Sequence, residues 1–297
     1  MSLEDTKTIG INAEMDQETI NKYTKLFPTL YFSCKMNDDN NFNLSYGKRI
    51  SRPNFRNLNP FRFYINTNSY SDGNPFLQPS FSDNFEFSHL YKKMINSSVF
   101  LSITTNGSGT VFTTDAESQT QIIIRENYYE QYNYGITESF SFNKIKWFKS
   151  DNSINLLGYY TKFIKDFGAM PKKGLQLYLT SNNTFSLSDN TKLQVNSYYS
   201  SQHNRGLFSV IGEMFDLSFG IQHSFKNNLK MSLLLSDVFN TASLKDYTST
   251  INGIEQIYRQ NESSRDLRVS LSYDFGNKKV DVKNRNFGND DEIKRSN

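Results

Sequence analysis

The 297-residue sequence predicts an all-β fold: an antiparallel transmembrane β-barrel segment of roughly eleven strands. Three observations lead there. Apolar and polar residues alternate over many short segments, most cleanly where Leu267, Val269, Leu271, Tyr273 and Phe275 interleave with Arg268, Ser270, Ser272 and Asp274. The connections between segments alternate short and long, and membrane barrels have tight turns at one rim and longer loops at the other. The side opposite the apolar one is filled by Ser, Asn, Lys, Arg and Asp, which suits the wet interior of a wide barrel with lipid outside.

Bulk properties narrow the class. Hydrophobic residues make up 36% of the chain and aromatic ones 15%, low and high respectively for a soluble core of this size. Lys and Arg total 33 against 30 Asp and Glu, a balance that argues against a dedicated nucleic-acid binder. Mean hydropathy is -0.63, and no run approaches the ~18 apolar residues of a membrane helix. A barrel escapes that test because its strands face lipid on one side only. One cysteine, Cys34, rules out an internal disulfide and a Cys-based zinc site. The start MSLEDTKTIG has none of the regions of a signal peptide, so an extracytoplasmic location implies that the sequence begins inside a longer one or has an altered start.

In order, residues 1–27 read as an extracellular loop or stub, with a short helix at 16–23 as the alternative. Alternation begins at Leu30, Phe32, Cys34 and Met36, turns at 37–40, and returns over 41–50. A long extracellular connection, 51–84, follows. Strands at 85–91 and at Val99, Leu101 and Ile103 flank a turn at 92–96, and a strand extension at 121–125 lies within 104–130. Tyr132, Tyr134, Ile136, Phe140 and Phe142 share one parity that Glu138 breaks, which calls for a polar partner or a bulge. After a turn at 144–150 come strands marked by Ile154, Leu156 and Tyr160, by Leu175 to Leu187, and by Leu193, Val195 and Tyr199. Phe215 to Phe225 and Leu229 to Leu235 form a tight hairpin, and 240–265 is a second long connection with strand extensions at 251–258. The barrel segment as a whole is 28–276, and 277–297 reads as a disordered periplasmic tail.

The stretch 48–87 carries more specific information. Four of the six prolines lie in it, and proline cannot donate to a strand ladder, so it is a stiff connection. The ordered series Lys48-Arg49-Ile50-Ser51-Arg52-Pro53, then Leu58-Asn59-Pro60-Phe61, then Gly73-Asn74-Pro75 with Leu77 and Pro79, and Asn84-Phe85-Glu86 resembles the signature of the TonB-dependent-receptor-like outer-membrane β-barrel family. The resemblance runs through about 26–276. It implies a receptor in a Gram-negative outer membrane for active uptake of a small nutrient, with no cofactor, no nucleic acid and no enzymatic step. Its partners would be outer-membrane lipid, an upstream plug domain and the TonB energy-transducing complex. Nothing here matches the plug or the energy-coupling box, so the chain alone is not expected to transport. An odd strand count with a periplasmic C-terminus puts residues 1–25 outside the cell, and the chain then reads as the C-terminal half of a barrel of about 22 strands. Two other classes stay open: a complete small barrel acting as a pore or adhesin, and a soluble β-rich surface-binding protein.

The candidate site residues are those of the loop motif: Arg49, Arg52, Pro53, Asn59, Pro60, Phe61, Gly73, Asn74, Pro75 and Pro79. They face a ligand or lock the loop, and locking is the simpler expectation. Phe55, Phe61, Phe63, Tyr64 and Tyr70 stack on a sugar or peptide or form the loop's own small core, again the simpler case. His89 and His223 fall on the lipid-facing parity and His203 in a loop, without metal-ligand spacing, while sequence spacing is silent on a Ser-His-Asp triad. Trp147 and the strand-end Tyr and Phe suit interfacial girdles, Cys34 reads as an inert small hydrophobe, and Leu267, Val269, Leu271, Tyr273 and Phe275 as the lipid face of the last strand.

Overall fold

The computed structural model describes residues 2–12, 17–59, 61–115, 117–166, 168–226, 228–243, 246–251, 253–259 and 262–275. Its strands in chain order are β1 (Ser2–Asn12), β2 (Gln17–Phe27), β3 (Thr29–Lys35), β4 (Asn40–Ser51), β5 (Phe63–Asn66), β6 (Ser69–Asp72), β7 (Ser80–Tyr91), β8 (Ile95–Asp115), β9 (Thr120–Ile145) and β10 (Phe148–Phe163). They continue as β11 (Lys172–Ser188), β12 (Thr191–Ser200), β13 (His203–Arg205), β14 (Phe208–Ile211), β15 (Met214–Ser224), β16 (Leu229–Ser236), β17 (Asp246–Ile251), β18 (Ile254–Arg259) and β19 (Asp266–Tyr273). One short helix, α1 (Phe55–Leu58), lies between β4 and β5.

Eleven of these strands form the wall, ordered β3-β4-β7-β8-β9-β10-β11-β12-β15-β16-β19, each antiparallel to its neighbour. Register aligns the apolar parity into continuous rows. One runs Phe32, Leu44, Phe87, Val99, Ile136, Leu156, Leu177. Another runs Phe185, Leu193, Ile221, Leu233, Val269. A one-residue slip would turn any of these strands inside out, so the pattern itself fixes the register. Among the described residues no second layer covers the rows: Phe32 is 60% exposed, Ile136 50% and Val269 55%. An apolar surface of that extent requires a non-aqueous partner.

The connections sort by rim. Those at 36–39, 92–94, 146–147, 189–190 and 225–228 are tight, whereas those at 52–79, 164–171, 201–213 and 237–265 are long. On the long-loop rim β8 and β9, of 21 and 26 residues, outrun the wall as a two-stranded ribbon that closes at 116–119. Register shifts between Thr104, Gly107 and Ser108, with Asn106 at φ 53°, bend the ribbon where it leaves the wall.

Several expectations need correction. Within the stretch expected as a loop or stub, 1–27, the described residues form a hairpin: β1 and β2 pair from Ser2↔Phe27 to Asn12↔Gln17. Their Thr and Ile content favours strand, but a hairpin packed on few neighbours needs no alternating apolar face, so periodicity missed it. The strand after the long loop begins at Ser80 rather than residue 85, because Ser80, Ser82 and Asp83 continue the ladder with β4 despite their polarity. The ribbon makes 104–130 almost wholly strand, and the strand expected at 251–258 is present as β18, which pairs with a further strand, β17, that begins earlier at Asp246. Glu138 needs no bulge: Ser97, directly opposite, donates its hydroxyl to Oε2 at 2.7 Å. Pro60, Gly276 and the tail at 277–297 lie outside the described residues.

Candidate binding site at the long-loop rim

The loop motif is a scaffold of backbone contacts. Asn54 caps α1 by accepting the Asn57 amide at 2.9 Å, and the Asn59 amide closes the turn on the Phe55 carbonyl at 3.0 Å. Gly73 then passes so close that a Cβ there would sit 1.7 Å from the Asn59 carbonyl oxygen. Next, the Asn74 amide donates to the Asn57 carbonyl at 2.7 Å and its side chain to the Arg125 carbonyl at 3.0 Å. Asn74 also accepts the amides of Phe76 and Leu77, and Leu77 is buried. Beyond Pro75, Asn127 reads Gln78 in both directions, accepting its amide at 2.7 Å and donating to its carbonyl at 2.9 Å. The Pro79 carbonyl accepts from Asn106 at 2.9 Å. Two motif pieces separated in sequence thus meet each other and clamp onto the ribbon.

The other motif residues diverge. Arg49 is held loosely, 3.4 Å from the Thr29 hydroxyl. Arg52, just ahead of Pro53, pairs with Glu4 of the β1–β2 hairpin and lies 3.2 Å from the Tyr23 hydroxyl. Arg52 and then Tyr23 hold the Glu4 carboxyl down to about 2. The expected small aromatic core of the loop is absent. Phe55, Phe61, Phe63 and Tyr64 are all exposed, because the loop is anchored through β6, which adds to β9 as a parallel strand from Ser69↔Gln121 to Asp72↔Ile124, and not through its own rings. What remains is a local pair: the Tyr64 and Tyr70 rings lie 5.8 Å apart, with the Arg62 guanidinium 4.0 Å above the Tyr70 ring.

On the other side of the ribbon the long connections build a second sheet, β13-β14-β17-β18. Val111, Tyr128, Leu207 and Ile251 form a small buried cluster there. Phe112 meets Tyr258 at 4.7 Å and Phe208 at 5.4 Å, and the Tyr247 and Tyr258 rings stack at 5.6 Å. Burial pushes the Tyr128 and Tyr258 hydroxyls up to about 12. Lys172 ties β11 to this sheet by donating to the Leu207 carbonyl at 2.7 Å and the Ser209 hydroxyl at 3.0 Å, and burial lowers its pKa.

Between ribbon and sheet lies a cavity of about 490 Å³ lined by Ser108, Thr110, Phe112, Arg125, Tyr128, Tyr129, Phe208 and Tyr247, among others. A smaller one, about 140 Å³, opens on the loop side of the ribbon by Arg56, Phe61, Phe63, Asp72 and Gly73. Arg125 and Thr110 line both. The Arg125 guanidinium is fixed by Ser108, Nε to the hydroxyl at 3.3 Å and a terminal nitrogen to the carbonyl at 3.1 Å. Among the described residues no carboxylate lies within ion-pair distance of it. An oriented, unneutralised cation beside aromatic rings suits an anionic small molecule with apolar parts. Of the motif residues, Phe61 and Gly73 reach the smaller cavity. Arg125, Tyr128, Phe208 and Tyr247 were not singled out by sequence; the adjacent tyrosines 128 and 129 close to Gly107 and Gly109 were the available signal, since both glycines yield space to those rings.

The histidines stay apart. His89 stacks on Phe42 at 4.4 Å and bonds Asn40, His223 bonds the Thr191 hydroxyl, and His203 meets the Ser201 carbonyl. Among the described residues no three His, Cys, Asp or Glu side chains gather as metal ligands.

A model of the outer membrane protein beta-barrel family matches residues 2–273. No curated protein matches the chain. Among solved structures, the siderophore receptor PirA from Pseudomonas aeruginosa superimposes with a TM-score of 0.57 at 15% identity, over 91% of this chain and 44% of that one. The ferric-catecholate import receptor Fiu from E. coli gives 0.56 at 12%, over 86% and 36%. PirA from Acinetobacter baumannii gives 0.54 at 17%, over 85% and 41%. The chain therefore spans less than half the length of these receptors, and at such identities the likeness is one of fold.

Proposed function

The chain belongs to the outer membrane protein beta-barrel family of Gram-negative bacteria, and we propose that it is the C-terminal half of a nutrient-receptor barrel that takes a small anionic ligand at its long-loop rim. The observation that carries the reading is the oriented Arg125 guanidinium, set among aromatic rings between two cavities on the rim where all the long connections collect.

The half-barrel part follows from strand direction. Edge strands β3 and β19 both run from the long-loop rim to the tight-turn rim, and every residue of each is exposed. Antiparallel closure needs a complement whose two outer strands run the other way, hence an odd number of strands. A second copy in the same orientation would offer parallel edges. About eleven further strands would give the even total that bacterial barrels use. Placed before this chain, the complement leaves both barrel termini at the tight-turn rim; placed after it, both lie at the long-loop rim. The first arrangement puts the long loops outside the cell and the termini in the periplasm.

In this reading the motif residues Asn59, Gly73, Asn74 and Pro79 hold the loop that walls the smaller cavity with Phe61 and Gly73, while Arg52 ties the β1–β2 hairpin beside it. A plug and the TonB energy-transducing complex would act from outside these 297 residues, so the chain alone binds but does not accumulate ligand. Two experiments test the reading. Ligand screening by Tyr and Trp fluorescence, with negatively charged and neutral candidate nutrients, is expected to favour anions and to lose roughly 10- to 100-fold in affinity on Arg125→Ala. Binding of neutral ligands that ignores the substitution would remove the proposed site, and uptake into vesicles by this chain alone would remove the half-receptor reading.

A further inference from the structure

The outer face changes character in a fixed order toward the long-loop rim. Along β10 the outward parity reads Ile154, Leu156, Gly158, Tyr160, Lys162, and register sets Tyr132 and then Lys173 on the two sides of Tyr160. Tyr132 and Tyr160 lie 6.2 Å apart, and the Tyr134 ring lies over Gly158, where a Cβ would fall 2.4 Å from it. This is an aromatic shelf above an aliphatic belt, with Lys173 at its edge and Lys162 just beyond it. Such a shelf marks the level at which hydrocarbon gives way to headgroups.

We infer that Lys162 and Lys173 form a binding site for the phosphate groups of a membrane glycolipid, lipid A being the chemistry that fits. The two lysines are diagonal neighbours across β10 and β11, roughly 7–8 Å apart along the backbone, so both ammonium groups reach one phosphate. Both are exposed, and among the described residues neither has a carboxylate within ion-pair distance. Glu130 faces Lys162 in register without pairing to it, leaving the cluster one charge positive. The comparable lysine on β4 is different: Lys48 follows Phe42, Leu44 and Tyr46 on the same face, but Asp83 neutralises it at 3.1 Å. Acyl chains would lie on Leu156, Leu175 and Leu177, with the sugar on the tyrosine shelf.

The test is native mass spectrometry of the full chain in detergent micelles, offered lipid A, enzymatically dephosphorylated lipid A, or inorganic phosphate. The wild-type chain is expected to prefer the phosphorylated lipid by roughly 25-fold, from about 5-fold for each lysine near a charged surface. The double variant Lys162→Gln with Lys173→Gln should lose that preference, Glu130→Gln should raise it a few-fold, and Lys48→Gln should leave it unchanged. Equal retention of the dephosphorylated lipid by the wild type overturns the inference without any variant having to fold. Saturation by inorganic phosphate alone also overturns it, because the site would then take a free anion. Binding in micelles does not depend on which rim faces outward, so this result and the receptor reading fail separately.

Discussion

At the scale of single residues, backbone proximity decides more than side-chain chemistry. Gly73→Ala would force a Cβ into the Asn59 carbonyl, which is backbone and unable to rotate away, so the 52–79 loop must shift. A loss of about 2–3 kcal/mol is expected, read as faster hydrogen exchange across Asn57, Asn59 and Asn74 with the wall unchanged. Asp237 makes a comparable case at the other long connection. It is wholly buried, accepting the Thr241 and Ala242 amides at 3.0 and 2.9 Å and the Ser264 hydroxyl. Asp237→Ala strands those donors and should cost about 2–3 kcal/mol in thermal unfolding. The Glu4–Arg52 tie gives a pH dependence with a definite sign. Its folded pKa lies near 2 against an ordinary 4.5, so the tie stabilises hairpin docking above pH 4.5 and loses that contribution as pH falls toward 2. Exchange protection of Tyr23 and Phe27 should fall across that window in the wild type and stay flat in Arg52→Gln. The glycines, asparagines and prolines of the motif were legible in sequence because turns demand them. Arg125 was not, because its importance comes from what the ribbon's bend and β14 bring beside it.

At the scale of elements, the wall and the rim were legible to different degrees. The wall strands have one apolar and one polar face, and period-two alternation found nearly all of them within a few residues. The β1–β2 hairpin and the distal β8–β9 ribbon hid because neither has a face against lipid: the ribbon lies between a loop and a second sheet, so both of its sides are half-buried and mixed. Most aromatic residues of 52–79 stay exposed for a related reason: their hydrophobicity favours a core, but ladder bonding between β6 and β9 already anchors the loop. Replacing the ribbon from 108 to 126 by a two-residue turn should therefore leave the wall strands protected from exchange while abolishing ligand binding and loosening both β13–β14 and 52–79. Preserved binding would mean that the cavities beside Arg125 are not the site.

At the scale of the whole molecule, ladder hydrogen bonds hold the wall and the described residues gather a small buried cluster out on the rim, so the proposed reading leaves the remaining apolar contact to lipid. Two exposed edges running in the same direction make a solitary sheet prone to pairing with other strands. Co-expression with an eleven-strand partner segment of opposite edge direction should give a heat-modifiable, monodisperse species, and the chain alone a polydisperse one. The central claim is that one face of the wall meets hydrocarbon and the other water. It is tested most directly in a Cys34→Ser background by placing a fluorophore through Leu156→Cys or Asn155→Cys, adjacent residues of β10 on opposite faces, in vesicles. The account predicts that nitroxide lipids quench the probe at 156 and aqueous iodide the probe at 155; equal access of iodide to both, or shielding of 156 from lipid, would contradict it.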